Sequence, residues 1–320
     1  MFPHVYERGI RNLESKFGLV VRECPTARAE PVMLYQNPKM RADDVNDAFA
    51  DGEVKAIFAT IGGDESVRIL PYLNHEVIRD HPKILMGFSD VTTLLTYCAG
   101  LGLVAFHGPS VMAGFSQLEN LPRAFADHIT DILFNPQPTY EYHSYDAYSE
   151  GYPDWADTAN LDKVKERKND SGWNWLQGDS GVKGELFGGC IEVLEFMKAT
   201  PYWPSHTFWD GKILFFETSE EKPSPTYVER WLRNYGIQGI FDQISALLFG
   251  RAMLYSDEEK KQLDSVILSV VAKEFNQTEL PIVTNMDFGH TDPQFVLPLG
   301  INAEVDCRNK RFRLLEPAVT

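Results

Sequence analysis

Ser89 stands in Gly87-Phe88-Ser89-Asp90, where the apolar run ILMGF gives way to DVTTLLTYCAGL, a stretch with helical spacing. A serine on a sharp strand-to-helix turn presents its hydroxyl beyond the carboxyl end of a sheet, and the N–H groups of the helix start can stabilise an oxyanion beside it. The turn lacks the second glycine of a GxSxG elbow, and a serine here can equally be a plain helix N-cap. Gly62-Gly63 closes another apolar run, VKAIFATI, and lets the backbone approach a ligand; a simple tight turn is the other reading. Glu217 ends KILFFE, and His290 lies just past PIVTNM in the loop DFGHTD. His107, ending AFHGP, is the rival base, and either histidine can be purely structural. A serine nucleophile needs a neutral imidazole to take its proton and a carboxylate to orient that imidazole. Ser89, His290 and Glu217 supply one of each, all after strands, where open α/β sheets place their sites.

The elements that must position these groups alternate. VYERGIRNLESKF reads as a helix stopped by Gly18, LVVREC as a strand and Arg41–Asp51 as a helix. AIFATI, KILMGF and LVAFHGP read as strands separated by the helices ESVRILPYL and DVTTLLTYCAGL. This spacing predicts an α/β fold: an amino-terminal parallel sheet flanked by helices, Rossmann-like, over residues 1–136. Residues 137–178 break the rhythm with Tyr, Asp, Lys and Asn and the run DKVKERKND, and read as a linker plus surface insertion. Order resumes over 179–320 in a smaller mixed α/β domain carrying Glu217 and His290, whose tail turns as a hairpin at Arg308-Asn309. Trp173 and Trp175 can stack on a flat ligand group if the insertion folds over a site, or can anchor the loop to the core.

Composition narrows the partners. Of 320 residues 46 are acidic and 30 basic, a formal charge of −16, which disfavours a nucleic-acid partner. No stretch approaches the ~18 apolar residues needed to span a bilayer. No secretory pattern opens the sequence, and Cys24, Cys98, Cys190 and Cys307 form no CxxC pair, so the expectation is a cytoplasmic protein with reduced thiols. No HxxxH or HExxH spacing occurs, so no metal and no cofactor are expected.

Taken together, AIFATIGGDESVRILPYL, KILMGFSDVTTLL, FHGP, GELFGGCIEVL, ILFFE and FGHTDPQFVLPLGINAEVD resemble the LD-carboxypeptidase family of serine peptidases, in particular its microcin C self-immunity branch. The resemblance implies a Ser89–Glu217–His290 triad, with the amides of Asp90 and Gly63, and with them Gly62, forming the oxyanion hole. It implies hydrolysis of an amide near a free carboxylate, which Arg68 is placed to hold unless it makes a surface salt bridge. The implied substrate is a peptidyl or aminoacyl adenylate mimic, or alternatively a murein tetrapeptide; a non-catalytic small-molecule binder is the rival class. Relatives are typically homodimers. Three departures stand out: this sequence opens at the first helix without the usual GDxIxxxxPS strand, GGDESVR is unusually acidic, and Cys190 replaces a frequent Asn. The first of these predicts an incomplete sheet.

Overall fold

The protein is described by a computed structural model covering residues 2–319. Its amino-terminal sheet runs in the order Ala56–Phe58, Ile84–Gly87, Ala105–His107, Leu297–Leu299. The first three strands are parallel, and Leu297–Leu299 returns from the far end of the chain to pair antiparallel with Ala105–His107. Helices Pro3–Phe17, Pro38–Ala50, Thr92–Gly100 and Arg123–Leu133 belong to this half, and Gly18 ends the first of them in a left-handed conformation. LVVREC is not a strand. The sheet ends at Ala56–Phe58, residues 19–24 pair with no strand, and Val20 is 96 % exposed.

The second sheet has eight strands, with Gly181–Cys190, Ile213–Glu217, Ala246–Gly250 and Ile282–Met286 parallel at its centre. Ile213–Glu217 and Ala246–Gly250 are buried at every position, which is why they read as unbroken apolar runs. The tail hairpin pairs Asn302–Asp306 with Arg311–Leu314, as the sequence predicts.

Residues 137–178 are more than a linker with a surface insertion. Tyr140–Tyr142 and Asn174–Gln177 form the two edges of the eight-stranded sheet. Ala147–Glu150 and Arg167–Asn169 make a third sheet with Thr291–Asp292, directly beside His290. Their polar composition hid these strands; Tyr140–Tyr142, Ala147–Glu150 and Asn174–Gln177 have partners more than a hundred residues away, and Arg167–Asn169 pairs locally with Ala147–Glu150. No helix among the described residues is long and apolar enough to cross a membrane.

Candidate active site

The carboxyl ends of the two sheets meet. Cys190 N–H donates to Thr92 Oγ1 at 3.1 Å, the Phe88 ring lies 4.9 Å from the His290 imidazole, and His107 packs 5.5 Å from Phe215.

Ser89 opens a single helical turn, Ser89–Val91, with Phe88 in the N-cap position, so the serine is not a cap. Its φ of 59° is left-handed, a conformation disfavoured for any residue with a Cβ and a mark of a sharp elbow. Gly62 sits against it: a Cβ there would stand 2.9 Å from Ser89 Cβ and 3.0 Å from Oγ, so only glycine admits this approach. Near the start of the turn, the Asp90 N–H has no carbonyl within the helix to bond. The Asp90 side chain braces the glycine loop, its Oδ2 accepting the N–H groups of Glu65 (3.0 Å) and Ser66 (2.8 Å). The elbow and the Gly62-Gly63 loop therefore form one hydrogen-bonded unit.

Glu217 ends its strand wholly buried, and its Oε2 accepts a 2.7 Å hydrogen bond from His290 Nδ1. Gly289 makes this possible: its φ is +100°, and a Cβ would come within 2.7 Å of both Glu217 Cβ and Oε2. His290 Nε2 lies 3.1 Å from Glu220 Oε2, whose side chain is 62 % exposed. Burial alone would depress the imidazolium, but Glu217 and then Glu220 more than reverse it and raise the pKa to about 10. The loop carrying Glu220 is held by Glu192, whose Oε1 accepts both the N–H and the hydroxyl of Ser219 at 2.8 Å. His107 differs. Enclosed by Phe88, Phe215 and Phe288 with no polar partner, it is driven down to about 4 by burial, and nothing orients it as a base.

The remaining candidates fall into other roles. The Arg68 guanidinium pairs with Glu65 and lies 4.6 Å from the Tyr35 ring centroid, so the salt-bridge alternative describes it. Trp173 donates from Nε1 to Asp287 Oδ2 at 2.8 Å and packs edge-on to Phe295, while Trp175 pairs with Val283 in the sheet; both anchor the insertion. Cys190 is buried opposite Glu217, and burial holds its thiol protonated. Sequence reasoning missed Glu220, Asp170 and Arg251. The first two sit in charge-rich loops without pattern, but Arg251 ends the apolar run ISALLFG and carries the same signal as Glu217. Among the described residues no group of three or more His, Cys, Asp or Glu could hold a metal ion.

An elbow serine, a carboxylate-bound histidine and a two-sheet α/β frame define a serine hydrolase architecture. Comparison with known families matches residues 2–108 to the LD-carboxypeptidase N-terminal domain and residues 183–305 to the LD-carboxypeptidase C-terminal domain, and the chain belongs to that family, as a serine carboxypeptidase. It is 30 % identical over 315 residues to a Vibrio cholerae protein named as a carboxypeptidase, covering 98 % of this chain and 90 % of that one. It is 29 % identical over 313 residues to the microcin C7 self-immunity protein MccF of Escherichia coli, covering 97 % and 87 %. A crystal structure of an MccF-like protein from Streptococcus pneumoniae in complex with AMP superposes with a TM-score of 0.87 at 27 % identity, covering 98 % of this chain and 93 % of that one.

Proposed function

We propose that this carboxypeptidase hydrolyses the amide that joins an aminoacyl or peptidyl group to a nucleotide-like leaving group, with Ser89, His290 and Glu217 as its triad. Ser89 Oγ attacks the carbonyl while His290 Nε2 takes its proton, and Glu217 holds the Nδ1–H and stabilises the imidazolium. The amides of Asp90 and Gly63 receive the oxyanion. His290 then protonates the departing nitrogen, and water releases the acyl group from Ser89 by the same steps in reverse. Glu220 must leave Nε2 before the first proton transfer, since a base with a pKa of about 10 is already protonated at neutral pH. Substrate entry between Glu220 and His290 supplies that displacement.

The observation that carries the triad is the buried 2.7 Å contact of His290 Nδ1 with Glu217 Oε2 beside the Ser89 elbow. The substrate class is supported by the self-immunity relative and by the AMP bound to the pneumococcal protein. The test is hydrolysis of an aminoacyl sulfamoyl adenosine and of a murein L,D-tetrapeptide, side by side, by the native chain and by Ser89→Ala. Cleavage of the adenosine compound that disappears in Ser89→Ala is expected. Turnover surviving in Ser89→Ala rejects the triad, and cleavage of the tetrapeptide alone rejects the nucleotide-like substrate.

A further inference from the structure

We propose that Arg251 is the positioning residue for the base, clamping both ends of the His290 loop and tying the insertion to it; this rests on the triad reading above. Arg251 is 0 % exposed and follows the strand Ala246–Gly250, which lies between the Glu217 strand and the strand leading to His290. Its Nη2 donates to Asp287 Oδ1 at 2.7 Å, three residues before His290, and its Nη1 to Thr291 Oγ1 at 3.2 Å, one residue after it. Nη2 also donates to Asp170 Oδ2 at 2.5 Å, and the guanidinium lies 4.1 Å from the Tyr148 ring centroid, so two contacts reach into the insertion. The network continues outward. Asp287 Oδ2 accepts from Trp173, and Asp170 Oδ1 accepts from Asn285 Nδ2 at 3.0 Å.

Stability does not account for this cluster, because a buried ion network is generally no more stabilising than apolar side chains of the same volume. What a planar, multiply donating guanidinium does supply is fixed geometry among several oxygens at once. Here those oxygens bracket the imidazole. Small displacements of a catalytic group cost large factors in rate, so a clamp at both ends of a loop that must hold Nδ1 on Glu217 has a direct consequence for turnover.

The test measures the rate at which a fluorophosphonate labels the serine, as a function of pH, together with the ring titration of His290 by NMR in histidine-labelled protein, assigned with His290→Gln. Arg251→Met is expected to slow labelling at least tenfold, shift its pH midpoint and shift the His290 titration, with the far-UV circular dichroism of the native chain; Arg251→Lys recovers part of the rate. If Arg251→Met does not fold, Thr291→Val replaces it, with an expected slowing of at least threefold and the same two shifts. Labelling within twofold of the native rate, with midpoint and ring titration unmoved in the variant that folds, overturns the proposal. An adduct on Ser89 that is absent from Ser89→Ala checks the triad separately. Were native Ser89 to resist the probe, the triad reading would fail, and the clamp would stand or fall on the His290 titration alone.

Discussion

Glu220 contacts His290 Nε2, the atom that takes the proton in the proposed mechanism, and its removal has a predictable sign. Glu220→Gln takes away one of the two charges that raise His290, so the acid limb of the pH–rate profile moves to lower pH and activity near neutrality rises severalfold; an unmoved limb would disprove the contact's role. The same group links stability to pH. Its folded pKa of about 10 lies above the ~6.5 of an unfolded histidine, so its contribution is fully present below about pH 6.5 and is lost as pH rises through about 10. Urea melts from pH 6 to 10 should show the native chain converging on His290→Gln as the pH rises. Ser89 carries its own strain. Glycine removes a left-handed penalty of about 1–2 kcal/mol at the cost of about 0.5–1 kcal/mol in chain entropy, so Ser89→Gly should be inactive yet more stable by about 0.5–1 kcal/mol, and Ser89→Ala inactive without that gain. An equal melting temperature for both would refute the strain.

Between elements, the contact that matters most is the approach of the His290 loop to the Glu217 strand. Gly289→Ala forces a Cβ against Glu217 and a side chain into positive φ, so the 2.7 Å hydrogen bond should be lost and kcat should fall about 100-fold; a variant at native kcat would mean that the loop yields freely. Much at this scale was legible in the residues. ILFFE and ALLFG are near-continuous apolar runs because both faces of these central strands are buried, and Glu217 stood out as the polar residue ending its strand, with His290 in the loop just past Ile282–Met286. LVVREC misled because strand propensity makes a strand only where the segment pairs, and residues 19–24 pair with no strand. The strands of 137–178 were invisible for the opposite reason: YEY and RKN are too short and polar to show a pattern, and pairing makes them strands, YEY with the distant Arg311–Leu314 and RKN with Ala147–Glu150 in the same insertion.

Across the whole molecule, a charge of −16 surrounds a site that itself presents Glu220. An anionic, phosphate-bearing substrate approaches against this field, and added salt screens the repulsion. The proposed activity should therefore show kcat/KM rising with ionic strength between about 0.01 and 0.15 M for a net-anionic, phosphate-linked substrate, and changing less for a sulfamoyl analogue of zero net charge. A falling slope for the phosphate compound would point to a cationic binding patch.

Leu297–Leu299 has a consequence for biosynthesis. The first half of the chain leaves the ribosome with Ala105–His107 as a bare hydrogen-bonding edge, and the segment that covers it is translated 190 residues later. At roughly 5–20 residues per second, that interval lasts about 10–40 s. During it the nascent amino-terminal sheet is open to pairing with other chains, so trigger-type chaperones that hold exposed edges should raise the yield of this protein more than that of folds whose halves close independently.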